Sequence, residues 1–273
     1  MQQFEVLASG YGLAEAPTLD IDGALLFSDV LGGGVYRLAA DGSVTTVVPK
    51  RRGVGGIALH ADGGLICSGR DVIHVREGET RTVLHIDGVA GWNDLCTDSG
   101  GRVYAGALRF AVFDPQAEVV PGEVWRIESE SKRVALVDNV LHANGVACSV
   151  DGTTVYLSDT RARRLIVQDL DGAARRVIDV SPYGTPDGLA LDEHGDVWLA
   201  LVDGGIGHFA ADGTLRERLD VPSTLVTSLC FGGDARRDLF ITTGGHSERP
   251  ELRGCVLGTR VDVAGAPVFP AAV

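Results

Sequence analysis

Residues 185–219 read TPDGLALDEHGDVWLALVDGGIGHFAADGTLRERL, and residues 15–48 read EAPTLDIDGALLFSDVLGGGVYRLAADGSVTTVV. The two stretches share one phase. Each opens on an apolar run, turns at a glycine, enters a second apolar run (Val197-Trp198-Leu199, Leu25-Leu26-Phe27) and bends through glycines. Each then gives a third run, turns at Asp-Gly and ends on a fourth. Runs of this length between such turns read as strands, because glycine takes positive φ without steric cost and Asp stabilises the turn. Residues 144–180, NGVACSVDGTTVYLSDTRARRLIVQDLDGAARRVIDV, repeat the pattern a third time.

Working outward, the chain divides into six units, roughly 14–48, 53–87, 92–138, 143–180, 185–221 and 225–270, within one domain spanning 1–273. A four-stranded unit cannot bury both faces alone, so the units must pack on one another. Radial packing of six such units gives an all-β, six-bladed β-propeller of four-stranded antiparallel blades. The run from Gln3 to Ala8 is left over, and is expected to add a strand to the last blade and close the ring. Glycine, at 37 of 273 residues, is about 14 %, twice the usual 7 %, as many tight turns require. No stretch has the caps and periodicity of a long helix, and Gly53-Val54-Gly55-Gly56 lacks the strand–helix context and lysine of a phosphate loop.

Composition narrows the function. A net charge of −13 leaves no basic face for nucleic acid and disfavours an anionic membrane surface. No apolar run is long enough for a membrane helix and no signal peptide is visible, so a cytoplasmic protein acting on a small molecule is expected. Five cysteines at wide spacings, without a CxxC pair, fit free thiols in a reducing compartment. The sequence is silent on oligomeric state.

In a propeller, residues at one phase of different repeats meet at one mouth of the central channel. The position that opens the inner strand is Glu15 in the first unit, Asn93-Asp94 in the third, Asn144 in the fourth and Asp187 in the fifth; the second offers Gly55-Gly56 and the sixth Thr227-Ser228. Carboxylate and amide oxygens converging there make a donor set for a hard cation; capping of tight turns is the competing use of the same residues. Glu15 beside Asp187 without a cation should leave one of them protonated.

These motifs, in this order, resemble the SMP-30/gluconolactonase/luciferin-regenerating family: Glu15-Ala16-Pro17, Asn93-Asp94, Pro121-Gly122, Asn144-Gly145-Val146-Ala147 and Pro186-Asp187-Gly188. The resemblance implies one divalent cation held by Glu15, Asn144 and Asp187. Ca²⁺ is the first candidate, and Mg²⁺, Mn²⁺ or Zn²⁺ could replace it. It further implies hydrolysis of a lactone or related ester, with Asp187 handling the proton of the attacking water and Asn93 orienting the substrate or approaching the metal. The sequence departs from sugar-lactone members at Gly91, where an arginine is usual, and at Ala16, where glycine is usual; alanine is expected to fit there with negative φ.

Trp92, Arg109 and Phe110 are the remaining substrate-side candidates. The last two sit in an insertion at 108–121, open to reading as an apolar lid or as a surface loop. His142 and His246, the latter in a second insertion at 244–253, are candidate proton-transfer groups. Asp159 could orient a ligand or cap a turn. A metal-assisted lyase, hydratase or isomerase on the same site, and a non-catalytic calcium-binding or scaffold propeller, are the alternatives.

Overall fold

The computed structural model describes residues 2–129, 131–172, 174–203, 205–223, 225–245 and 253–273. It contains six four-stranded antiparallel sheets. The inner strands are Ala14–Leu19, Ile57–Leu59, Gly91–Thr97, Ala143–Cys148, Pro186–Leu191 and Val226–Gly232. Five sheets are built from four consecutive strands. The sixth takes its outer strand from the chain start, where Glu5–Ala8 pairs antiparallel with Val256–Arg260. The expected propeller and its closure are both present.

Each of six apolar clusters is shared by two neighbouring blades. Ile66 and Leu84 of blade two meet Trp92 and Val103 of blade three; Trp198 and Ile206 of blade five meet Leu239 and Ile241 of blade six. Phe27 and Leu25 of blade one meet Val256 of blade six, which completes the circle. Full burial of one such side chain stabilises by roughly 1.5–3 kcal/mol, so the ring is held mainly by what lies between blades. Where successive inner strands meet at Gly145 and Gly188 there is no room for a side chain. A Cβ on Gly145 would stand 2.6 Å from the Leu189 nitrogen, and one on Gly188 would stand 2.2 Å from Ser228 Oγ. Glycine after Asn144 and after Asp187 is therefore what lets successive inner strands back onto each other.

Five of the six inner strands break register at the same phase: between Glu15 and Thr18, Trp92 and Leu95, Ala143 and Val146, Pro186 and Leu189, and Val226 and Ser228. A bulge re-aims the side chain it carries. Here it turns Glu15, Asn93, Asn144, Asp187 and Thr227 toward one mouth of the channel, where all five line the same cavity. Ala16 occupies the bulge of blade one at φ +53°. The negative φ expected of it is not found: the left-handed conformation is imposed by the bulge, and alanine bears its steric cost. At the other end of the channel the C-terminal tail crosses the blades, with Ala271 bonded to Leu59 and Ala61, and Ala272 to Gly101.

Candidate functional site

The cavity at the bulged mouth measures about 450 Å³. Glu15, Asn144 and Asp187 lie in its wall and are all buried. Glu15 Oε2 accepts the Ala16 N–H at 2.9 Å. The Asn144 amide donates to Thr160 Oγ1 at 3.1 Å and also supports the Asp187 carboxylate. Asp187 Oδ1 is buried with no hydrogen-bond partner among the described residues. An orphaned carboxylate oxygen is costly in a protein interior and calls for an explanation.

The charges state the same problem. Burial pushes both Glu15 and Asp187 well above the usual carboxylate range, and the negative charge of Asp187 adds to the shift of Glu15. Asp94, one residue beyond Asn93, is pushed up to about 7 by burial, although it accepts the N–H groups of Leu95 and Val146. Three carboxylates largely held out of water around one axis, with no cationic partner among the described residues, favour protonation or a bound cation. Oxygen-only donors from two carboxylates and an amide suit a hard divalent ion.

Asn93 lines the cavity and donates its Nδ2 to the Ala143 carbonyl at 3.0 Å. Trp92 lines the cavity and is otherwise packed in the core between blades two and three. His142 lines the wall with its backbone N–H on Asp159 Oδ1. Asp159 also takes the Leu141 N–H, so it fixes the loop that leads into Asn144. Burial lowers the His142 imidazole to about 4, which leaves it neutral near pH 7.

The 108–121 insertion covers part of the cavity. Leu108, Phe110, Ala111, Val112 and Phe113 line it, and Phe110 stacks edge-on toward His142 with ring centres 6.5 Å apart. Arg109 is not among the lining residues; its Nε and Nη2 donate to Glu123. His246 lies outside the described residues.

A second buried set, Asp192, Asp196 and His208 in blade five, brings potential ligand atoms within 4.8 Å of one another and could in principle chelate an ion. It does not line the cavity. Its oxygens also have donors already: Asp192 accepts the Trp198 indole and sits 3.0 Å from His208 Nε2, while Asp196 pairs with Arg216. The network is self-sufficient where Asp187 is not. Asp94 shares the phase of Asn93, whereas Thr160, which accepts the Asn144 amide, does not recur between repeats, and no spacing marks it.

A propeller with an oxygen-donor cavity at one mouth of its axis defines a class, and the comparisons place the chain within it. Residues 13–245 match the SMP-30/Gluconolactonase/LRE-like region, and the chain belongs to that family. It is 30 % identical to a 6-deoxy-6-sulfogluconolactonase of Pseudomonas putida, covering 94 % of each chain. It is likewise 30 % identical to a pentonolactonase of Haloferax volcanii, again over 94 % of both. Among solved structures, a calcium-binding regucalcin of Agrobacterium tumefaciens superposes with a TM-score of 0.85 at 21 % identity, covering 100 % of this chain and 98 % of that one. At that identity the likeness speaks for the fold.

Proposed function

We propose that this protein is a divalent-cation-dependent hydrolase that opens a lactone carrying an apolar substituent. The observation that carries the reading is the unpartnered Asp187 Oδ1 beside Glu15 and Asn144, at the wall of a cavity partly roofed by Phe110 and its neighbours. The lactonase names of the relatives at 30 % identity support the reaction class.

Glu15, Asn144 and Asp187 would hold the cation, Ca²⁺ first and Mg²⁺, Mn²⁺ or Zn²⁺ as substitutes. When bound there, it would supply Lewis-acid polarisation of the lactone carbonyl. The chain's own residues do the rest. Asp187 takes the proton of the attacking water. Asn93, its Nδ2 committed to Ala143, presents its carbonyl oxygen to orient a substrate hydroxyl or that water. As the acyl C–O bond breaks, the proton taken up by Asp187 is needed on the departing ring oxygen; His142, neutral, would relay it there along the wall, and His246 is a second candidate for that relay. Trp92 and Phe110 hold the apolar part of the substrate and exclude water, and Arg109 supports the base of the roof through Glu123.

Sugar, aliphatic and aryl lactones incubated with calcium-loaded protein should test this by product mass. A hydroxy acid, one water heavier than its lactone, is expected, with the aryl compound preferred. An isomer of unchanged mass would favour a lyase or isomerase, and no turnover with the cation bound would favour a binding protein.

A further inference from the structure

Arg70 is the only arginine or lysine among the described residues lining the cavity. Its position is tightly specified. Gly69, at φ +124°, exchanges two backbone hydrogen bonds with Trp92: Trp92 N–H to Gly69 O at 2.6 Å and Gly69 N–H to Trp92 O at 3.1 Å. This pair crosses from blade two to the bulge of blade three that carries Asn93. Arg51 braces the same turn from behind, donating to the carbonyls of Ser68 and Asp71 at 3.0 and 2.7 Å.

The acid nearest in sequence is already taken, for Asp71 Oδ1 lies 2.6 Å from His85 Nδ1. No carboxylate among the described residues pairs with Arg70, whose side chain is exposed at the rim. Across the strand pair, Gly91 leaves open space, its nearest would-be neighbour being Gly69 O at 3.6 Å. The rest of that wall is apolar, from Trp92 to Phe110 and Val112. A guanidinium carried on a braced turn at the lining of the cavity, unpaired among the described residues and beside an apolar wall, can receive an anionic group on an apolar body.

We infer that Arg70 determines specificity by binding an anionic substituent, of the carboxylate class, borne by the apolar part of the lactone. The inference rests on the hydrolase reading for the lactone itself, but not for the anion. The carboxylate released by ring opening forms beside the buried Glu15 and Asp187, whereas Arg70 stands at the exposed rim, so it would read a second anionic group.

The test compares a 5-aryl-γ-butyrolactone bearing a ring carboxylate with its neutral carboxamide, in the wild-type, Arg70→Ala and Arg70→Lys proteins. The carboxylate-to-carboxamide ratio of kcat/KM should be about tenfold in the wild type, since one charge-assisted contact is worth about that much. It should fall to near one in Arg70→Ala, recover in part in Arg70→Lys, and shrink with added salt in the wild type. A ratio that Arg70→Ala leaves unchanged overturns the inference. If neither compound is hydrolysed, the hydrolase reading fails by itself, and calorimetric binding of the same pair decides for Arg70. Tighter carboxylate binding lost in Arg70→Ala sustains it; equal or undetectable binding of the two compounds overturns it.

Discussion

Asp94 Oδ2 accepts the Val146 N–H at 2.9 Å, so a single half-buried carboxylate ties the inner strand of blade three to that of blade four. Its pKa of about 7 in the fold, against an ordinary 3.8, makes this tie pH-dependent. The folded state holds the proton more tightly than the unfolded chain, so the stability it contributes is complete below pH about 4 and lost as pH rises through about 7, a loss of roughly 4 kcal/mol at most. Glu15 and Asp187, also raised, act in the same direction. Surface carboxylates such as Asp22 and Asp151 are lowered and act only in more acid solution. Urea unfolding of the cation-free protein should therefore give lower stability at pH 8 than at pH 5. Asp94→Asn should flatten that slope, whatever it does to stability at one pH.

Replacing Glu15 by Gln should have different effects with and without cation. In cation-free protein it replaces an acid that burial and the Asp187 charge hold above the usual carboxylate range with a neutral amide, so the melting temperature should fall less on going from pH 5 to pH 8 than that of the wild type. With Ca²⁺ at a hundred times the wild-type Kd, the wild type gains about 2.7 kcal/mol by mass action, and the variant should gain little of it. Thermal unfolding of both proteins, in chelator at the two pH values and in calcium, reads both effects.

Gly188→Ala should damage fold and site together. Its Cβ would meet Ser228 at Oγ, Cβ and Cα, at 2.2, 2.6 and 2.7 Å, and only the hydroxyl can rotate away. A loss of about 1–3 kcal/mol is expected from overpacking, with weakened calcium binding because Asp187 precedes it. Gly91→Ala, with nothing closer than 3.6 Å, should change denaturation midpoints by little.

Phe110→Ala should lower kcat/KM for aryl lactones by about tenfold or more relative to sugar lactones, as loss of a buried aromatic contact implies. The buried Phe110 ring reaches the cavity wall near His142. Equal losses on both substrate types would mean that the insertion supports the fold and does not sense the substrate.

The blades were readable because strand length, glycine turns and repeat phase are all local signals, and Glu15, Asn144 and Asp187 could be found from their phase because the bulges recur. The bulges themselves were not readable. A break in register depends on the partner strand, which is why Ala16 was expected at negative φ and stands at +53°. Arg70 was invisible for a related reason: its place beside Gly91 and Trp92 comes from a backbone pairing between blades at Gly69, and no sequence spacing encodes it. Arg109 drew attention by its position in the insertion, but the insertion folds so that its guanidinium meets Glu123.

The most direct test of the central claim is a calcium titration of lactone hydrolysis by metal-stripped protein, with Asp187→Ala in parallel. Hydrolysis of an aryl lactone should be absent in chelator, rise with calcium along the same curve as calcium binding, and stay absent in Asp187→Ala at every concentration. Full hydrolysis in chelator, or calcium-restored hydrolysis in Asp187→Ala, would contradict it.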